Sequence, residues 1–346
     1  MSNIKLSFCI PTYNRANYIG QTLASMADQI ILGGWTDCIE ICVSDNASTD
    51  NTDDVIDEFK NTYPLVRLVH SKNNENVGAD RNYLRVVEIA SGDYCWLFGS
   101  DDALVPGAIC SIFQELQQFN YDIILSNRIE CDIDLNQLRK QYWLDLNAGS
   151  CVYNFNDSSD ITKYFQEARS LGALFSYLSS IVVNRASWNT IKFDESFIGT
   201  VYSHVYILLS LVLKGAILKY HVEPTVLCRG GNDSFIQKSL ARRVVLDLHG
   251  YVLMADTLFG NDKVIYNFFL RVLKTECANS YFKSLRSILK IRLCSMQGDW
   301  QYLMNCYKKL YGLDRKIKII YHIPSFFIYF ARYAYKAKKY IEGQNV

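Results

Sequence analysis

Phe98-Gly99-Ser100-Asp101-Asp102, read together with Ser44-Asp45-Asn46 upstream, decides the fold. Each stretch closes a short apolar run. Ile39-Glu40-Ile41-Cys42-Val43 leads into Asp45, and Tyr94-Cys95-Trp96-Leu97-Phe98 leads into Asp101. Apolar runs of this length that end in a turn predict strands buried on both faces of an α/β sheet. Open sheets of that kind bind ligands at the carboxyl ends of their strands. Two carboxylates placed there can hold a hard cation and, through it, a diphosphate.

The same alternation extends outward from these runs. Residues 5–11 read as a first strand, broken by Pro11-Thr12-Tyr13-Asn14-Arg15. Ile19, Leu23, Met26, Ala27 and Ile30 then recur at helical spacing over 17–31. Strands are predicted at 39–43, 66–70 and 94–98, with helices at 53–60 and 79–90 between them. Repeated strand–helix units predict a parallel sheet wrapped by helices. Pro106-Gly107 opens a helix over 108–119, and 121–126 reads as a further strand. The middle third is less regular: a helical stretch over 161–168, a strand over 179–183, a helix over 202–214 and an extended run over 217–228. From about 236 onward helical periods dominate, so the boundary is expected near 235, with 1–235 as the α/β domain and 236–346 as a helical region.

Composition excludes several classes. The eleven cysteines are scattered without a CxxC pair and the five histidines do not cluster with them, which argues against zinc and for reduced thiols. The start, Met1-Ser2-Asn3-Ile4-Lys5, does not read as a signal peptide, so a cytoplasmic location is expected. Residues 261–346 carry 16 Lys and Arg against 5 Asp and Glu, while 1–260 carry 20 against 30. A basic tail behind an acidic front suits an anionic surface, though a solvated helical face has the same composition. No basic cluster sits on a recognisable nucleic-acid module. Ile319–Ala331 is apolar and aromatic, flanked by Lys and Arg, and too short to span a bilayer. It reads as an interfacial helix or as one packed on the rest of the protein.

At this point the chain resembles family 2 glycosyltransferases of the GT-A fold. Five motifs carry the likeness, in the order that family requires: Phe8-Cys9-Ile10-Pro11-Thr12-Tyr13-Asn14-Arg15, Val43 to Asp50, Asn76-Val77-Gly78-Ala79-Asp80-Arg81-Asn82, Gly99-Ser100-Asp101-Asp102 with Pro106-Gly107, and Phe193-Asp194-Glu195-Ser196-Phe197. They span roughly residues 5–215. Within the family the tighter resemblance is to abequosyltransferase-like enzymes of bacterial O-antigen synthesis. The opening strand, Arg229-Gly230-Gly231-Asn232-Asp233-Ser234 and the helical tail suggest it.

The resemblance implies a nucleotide-sugar donor, best a CDP-dideoxyhexose, and a lipid-diphosphate-linked oligosaccharide acceptor met at the inner face of the plasma membrane. It implies Mg2+ or Mn2+ held by Asp101, with Asp102 as a further ligand, as a residue that orients the site through hydrogen bonds behind the ligands, or as the cap of the following helix. Gly99 stands where many relatives carry the first aspartate of the motif, so one carboxylate is missing. Asp45 is expected to meet the base or ribose and Tyr13 to stack on the base. Pro11, Thr12 and Ser100 would border the nucleotide, and Arg15 and Arg81 its phosphates. Where inverting relatives carry an acidic base, this chain has Tyr202-Ser203-His204, so His204 is the candidate base, or equally an acceptor-binding or packing residue; a retaining reaction needs no base there. Arg229, Asn232 and Asp233 form a second polar cluster, suited to phosphate or sugar hydroxyls or to a plain turn. Two alternatives stay open: a UDP- or GDP-hexose transferase for capsule or another surface glycan, and an inactive nucleotide-sugar-binding protein.

Overall fold

A computed structural model describes residues 4–232 and 240–334, apart from 283, 296, 313, 314, 325 and 332. The chain divides into two compact units, Met1–Asn232 and Asp233–Val346.

The first unit is built on strands β1 (Leu6–Thr12), β2 (Ile39–Asp45), β3 (Arg67–Lys72) and β4 (Tyr94–Leu97), joined through helices α1 (Ala16–Leu32), α2 (Thr52–Thr62) and α3 (Ala79–Glu88). These four strands lie side by side in the order β3-β2-β1-β4, all parallel. All seven residues of β1 and all seven of β2 are buried, because helices cover both sheet faces. The stripe read from the sequence, Ile19, Leu23, Met26, Ala27 and Ile30, is the buried face of α1.

The chain continues through β5 (Ala103–Leu104), α4 (Ala108–Gln118), β6 (Ile123–Cys131), β7 (Gln137–Gln141), β8 (Cys151–Asn154), α5 (Ser158–Glu167), β9 (Ile181–Asn184), α6 (Arg185–Asn189), α7 (Ser203–Leu213) and β10 (Ile217–Cys228). The sheet extends as β4-β9-β6-β10-β5, with β7 on β6 and β8 on β10. β9 runs antiparallel to both neighbours, so β6 and β10 share the direction of β4. The result is the mixed, mostly parallel α/β sheet expected. Two short strands, β7 and β8, lie outside the pattern read from the sequence; the first is a polar run, Gln137-Leu138-Arg139-Lys140-Gln141, that pairs only with β6.

The core centres on Phe8, Trp96 and Phe98, with the first two rings stacked at 5.1 Å. The Trp96 indole N–H donates to the Ser179 carbonyl at 2.8 Å, so burial leaves no polar orphan there. Helix α4 starts at Ala108, capped by Gly107 at φ +82°, a left-handed conformation that favours glycine. Asp102 is therefore not the cap of that helix, which corrects one of its expected roles.

The second unit contains helices Leu240–Phe259, Lys263–Ser280, Leu285–Cys294, Gln297–Tyr311 and Arg315–His322. Tyr251, Met254, Phe259, Phe269, Leu273 and Leu303 form its buried interior. No described helix is long and apolar enough to cross a membrane. The Ile319–Ala331 stretch is broken, as Pro324 within it requires: one helix ends at His322 and helical residues resume at 326. Phe326, Phe327, Tyr329, Phe330 and Tyr333 around that second helix are 60% to 74% exposed.

Candidate active site

The carboxyl ends of β2, β1 and β4 converge on one edge of the sheet. Register places Thr12 opposite Asp45, Asp45 opposite Lys72, and Cys9 opposite Leu97, four residues before Asp101. The loop after β1 connects the two acids. Asp45 is fully buried and accepts from the Ser48 backbone N–H at 3.1 Å and from its hydroxyl. The Ser48 hydroxyl in turn receives the Asn14 N–H at 2.9 Å. One residue on, the Arg15 N–H donates to Thr52 Oγ1 at 3.0 Å, while the Arg15 guanidinium lies 3.6 Å from Asp101. Asn14 and Arg15 thus touch the surroundings of both carboxylates, and the sheet brings Asp45 and Asp101 to the same side.

Asp101 is about a quarter exposed, at 23%, and accepts from Asn232 Nδ2 at 2.7 Å. Burial pushes its carboxyl up from the ordinary range, and Arg15 pulls it back. Asp102 lies deeper. Its Oδ2 accepts from the Tyr177 hydroxyl and the Ser179 hydroxyl, each at 2.6 Å, and its Oδ1 from the Arg229 N–H at 3.1 Å. Burial first, and the charge of Asp101 second, push it up to about 7. The expectation of Asp102 as a metal ligand is corrected on this geometry: it is 4% exposed and organises three elements from within. Gly99 has a reason here. A Cβ at that position would sit 2.9 Å from Asp102 Oδ2 and 3.2 Å from Asp101 Oδ1. The missing first aspartate makes room for the hydrogen-bonded Asp102.

A divalent ion fits this donor set only sparingly. Asp101 offers one partly exposed carboxylate, and the remaining ligands would be diphosphate oxygens and water, a common arrangement for Mg2+. Asp45, Asp53 and His70 also place ligand atoms within 4.8 Å of one another. That second group already surrounds a cation, because the Lys72 ammonium bonds Asp53 and lies 3.7 Å from Asp45.

Other expected residues fall as follows. Tyr13 is 41% exposed at the mouth of the site, free to stack. Pro11, Thr12 and Ser100 are buried against it, and the Thr12 hydroxyl is a buried polar atom without a hydrogen-bond partner, beside Asp45. Arg81 is half exposed and engaged by Glu195 at 2.7 Å. Arg229 does not point at a phosphate: its guanidinium donates to the Asp101 carbonyl at 2.8 Å, to Gln21 at 2.6 Å and to the Ile133 carbonyl, and lies 5.1 Å from the Tyr18 ring centre. It is a strut beneath the acids, which corrects its expected role. Asp233 lies outside the described residues.

His204 is the largest departure. It sits in the first turn of α7, 2% exposed, edge-on to Tyr83 with ring centres 5.4 Å apart. Burial pushes its pKa down to about 3, opposed by the backbone of Phe175. An enclosed imidazole with so little basicity is a poor general base.

Several organising residues were missed. Asp80 accepts the backbone N–H groups of Gly199, Val201 and Ser203 at 2.8, 3.0 and 2.9 Å, pinning the start of α7 to α3. Asn82 donates to the Ser44 carbonyl at 2.9 Å and accepts from the Ser44 hydroxyl at 2.7 Å, fixing the end of β2. Their partners lie 38 or more residues away in sequence, so local pattern carries no signal for them.

Asp45 ends β2 and Asp101 follows β4 in a mixed, mostly parallel α/β sheet, at the strand ends where sheets of this kind bind ligands. Residues 7–178 match the description Glycosyl transferase family 2. The chain is also 41% identical over 272 residues to abequosyltransferase RfbV of Salmonella typhimurium, covering 78% of this chain and 80% of that protein. The protein belongs to glycosyl transferase family 2. Among solved structures it is similar in fold to Staphylococcus aureus TarS 1–349 in complex with UDP-GlcNAc (TM-score 0.61, 15% identity, 99% of this chain and 93% of that one). A likeness also extends to mannosyltransferase PcManGT from Pyrobaculum calidifontis in complex with GDP-Man and Mn2+ (TM-score 0.50, 15% identity, 90% and 88%).

Proposed function

We propose that the protein transfers a dideoxyhexose, abequose or a close relative, from a CDP-activated donor to a lipid-diphosphate-linked oligosaccharide in O-antigen synthesis. The observation that carries this reading is the 41% identity to an abequosyltransferase over most of both chains. The site supports it. Tyr13 would stack on the base, and Asp45, through Ser48, would hold the loop that borders the base and ribose. Arg15 and Asp101 flank the position of the diphosphate, with Pro11 and Ser100 as walls. A bound Mg2+ or Mn2+ would be held by Asp101 and the phosphates and would offset charge growing on the leaving nucleotide. Enclosure of His204 favours a route that places no strong base at position 204.

The acceptor's lipid implies work at the inner face of the plasma membrane. The exposed aromatics Phe326, Phe327, Tyr329, Phe330 and Tyr333, in a basic stretch of sequence, suit an anionic lipid surface.

Nucleotide release from CDP-, UDP- and GDP-sugars, with and without Mn2+, tests the donor. The reading expects turnover with a CDP-dideoxyhexose. Release from a UDP-hexose alone would replace the CDP assignment, and nucleotide binding without turnover from any donor would make this a silent sugar-nucleotide binder.

A further inference from the structure

A second cleft lies in the same unit, away from the acids, between β7 and the short 3-10 turn Leu146–Ala148. It is an open groove of about 610 Å³, within the range of ligand sites. We propose that it binds the oligosaccharide chain of the acceptor, holding sugar units beyond the one that reacts. The proposal rests on the reading of the acceptor as an oligosaccharide.

Charge decides what class of ligand the cleft suits. Its three cations are Arg139, Lys140 and Arg169. Each already has a carboxylate: Arg139 pairs with Glu130 at 2.6 Å, Lys140 with Glu223 at 3.5 Å, and Arg169 with Asp145. A phosphate would have to displace one of these carboxylates. A neutral hydroxyl has no such competition, since it can accept from the cation and donate to its partner at once. Asn147, an exposed residue of the cleft lining, adds an amide with both a donor and an acceptor. Tyr142 and the 72%-exposed Leu146 supply apolar surface for the C–H faces of sugar rings. Paired ions, amides and one aromatic make a lining for a polyhydroxylated, uncharged chain.

Position links the cleft to the reacting centre. Gln141, on its wall, accepts from Arg128 Nε at 2.9 Å. The Arg128 guanidinium stands 4.4 Å from the centre of the Tyr177 ring, and the Tyr177 hydroxyl bonds Asp102 at 2.6 Å. Gln141, Arg128 and Tyr177 therefore connect the cleft wall to Asp102 through successive side-chain contacts. The walls are fixed: Asp145 caps its turn through the Asn147 N–H at 3.2 Å, and the Arg169 N–H donates to the Trp143 carbonyl at 2.9 Å.

Saturation-transfer NMR with a panel of defined neutral trisaccharides, on the full chain, tests this directly. At least one trisaccharide should receive saturation from the wild type. Arg139→Ala/Asn147→Ala removes two hydrogen-bonding groups and should weaken that binding tenfold or more. Inorganic pyrophosphate should leave the saccharide signal in place. Thermal melting reports whether the double variant folds, and Arg139→Lys and Asn147→Gln give milder substitutions if it does not. Three results overturn the proposal: no trisaccharide binds, the bound one is unaffected by every variant, or pyrophosphate displaces it. Donor turnover, measured by nucleotide release, fails or succeeds independently of these, so loss of the cleft and loss of the transferase reading are told apart.

Discussion

Replacing His204 by Phe should make the protein less sensitive to acid while leaving catalysis largely intact. The argument starts from burial. His204 is 2% exposed, and its pKa is pushed down to about 3 against an ordinary 6.5. The folded state therefore holds the imidazole neutral, and the stability this contributes is complete above pH 6.5. It is lost as pH falls from 6.5 toward 3, because the unfolded chain takes up the proton first. Between pH 7.5 and pH 5 the linkage comes to about 2 kcal/mol from this one group. For a domain of this size that is about 4–8 °C in Tm. Phe keeps a ring against Tyr83 and Tyr202 and removes the titration. Differential scanning of both proteins at pH 7.5 and pH 5 should show the wild type losing about 4–8 °C more than the variant, since other titrating groups cancel in the comparison. Transfer rates at pH 7.5 should agree within a few-fold. Equal acid sensitivity in the two proteins would contradict the buried neutral imidazole. A loss of about 10²–10⁴-fold in rate, with the fold intact, would restore His204 as the base.

Three shorter expectations follow from the same geometry. Asp102→Ala strands the Tyr177 and Ser179 hydroxyls and the Arg229 N–H, so chemical denaturation should register a loss of about 2–4 kcal/mol even without ligand. Thr12→Val removes a buried hydroxyl that has no partner, so chemical denaturation should find the free protein as stable or slightly more so, and a clear loss of stability would show that the hydroxyl is bonded. Phe326→Ser/Phe327→Ser/Phe330→Ser should reduce co-sedimentation with vesicles containing phosphatidylglycerol, and unchanged partition would remove the lipid-surface reading.

The parallel half of the sheet was legible because its cause is local. Ile39–Val43 and Tyr94–Phe98 are apolar on both faces, and a strand so composed needs helices above and below it. Asp45 and Asp101 followed, since their places at strand ends are set by the strands themselves. What escaped is what distant chain supplies. Adjacency to Asp101 leaves Asp102 open as ligand, orienting residue or helix cap, and the partners that decide it, Tyr177 and Ser179, lie 75 and 77 residues on. Arg229 looked free for a phosphate until Gln21, 208 residues away, appeared in its path. His204 had the right position in a motif and the wrong environment, because Tyr83 closes over it from another helix. The polar β7, with a single ladder partner, carried no periodic signature at all.

A crystal structure with CDP and Mn2+ tests the central claim most directly. The account predicts the base beside Tyr13, Thr12 and Asp45, the phosphates between Arg15 and Asp101, and the ion on Asp101 with Asp102 still bonded to Tyr177 and Ser179. Nucleotide bound elsewhere on the protein, or an ion held without Asp101, would contradict it.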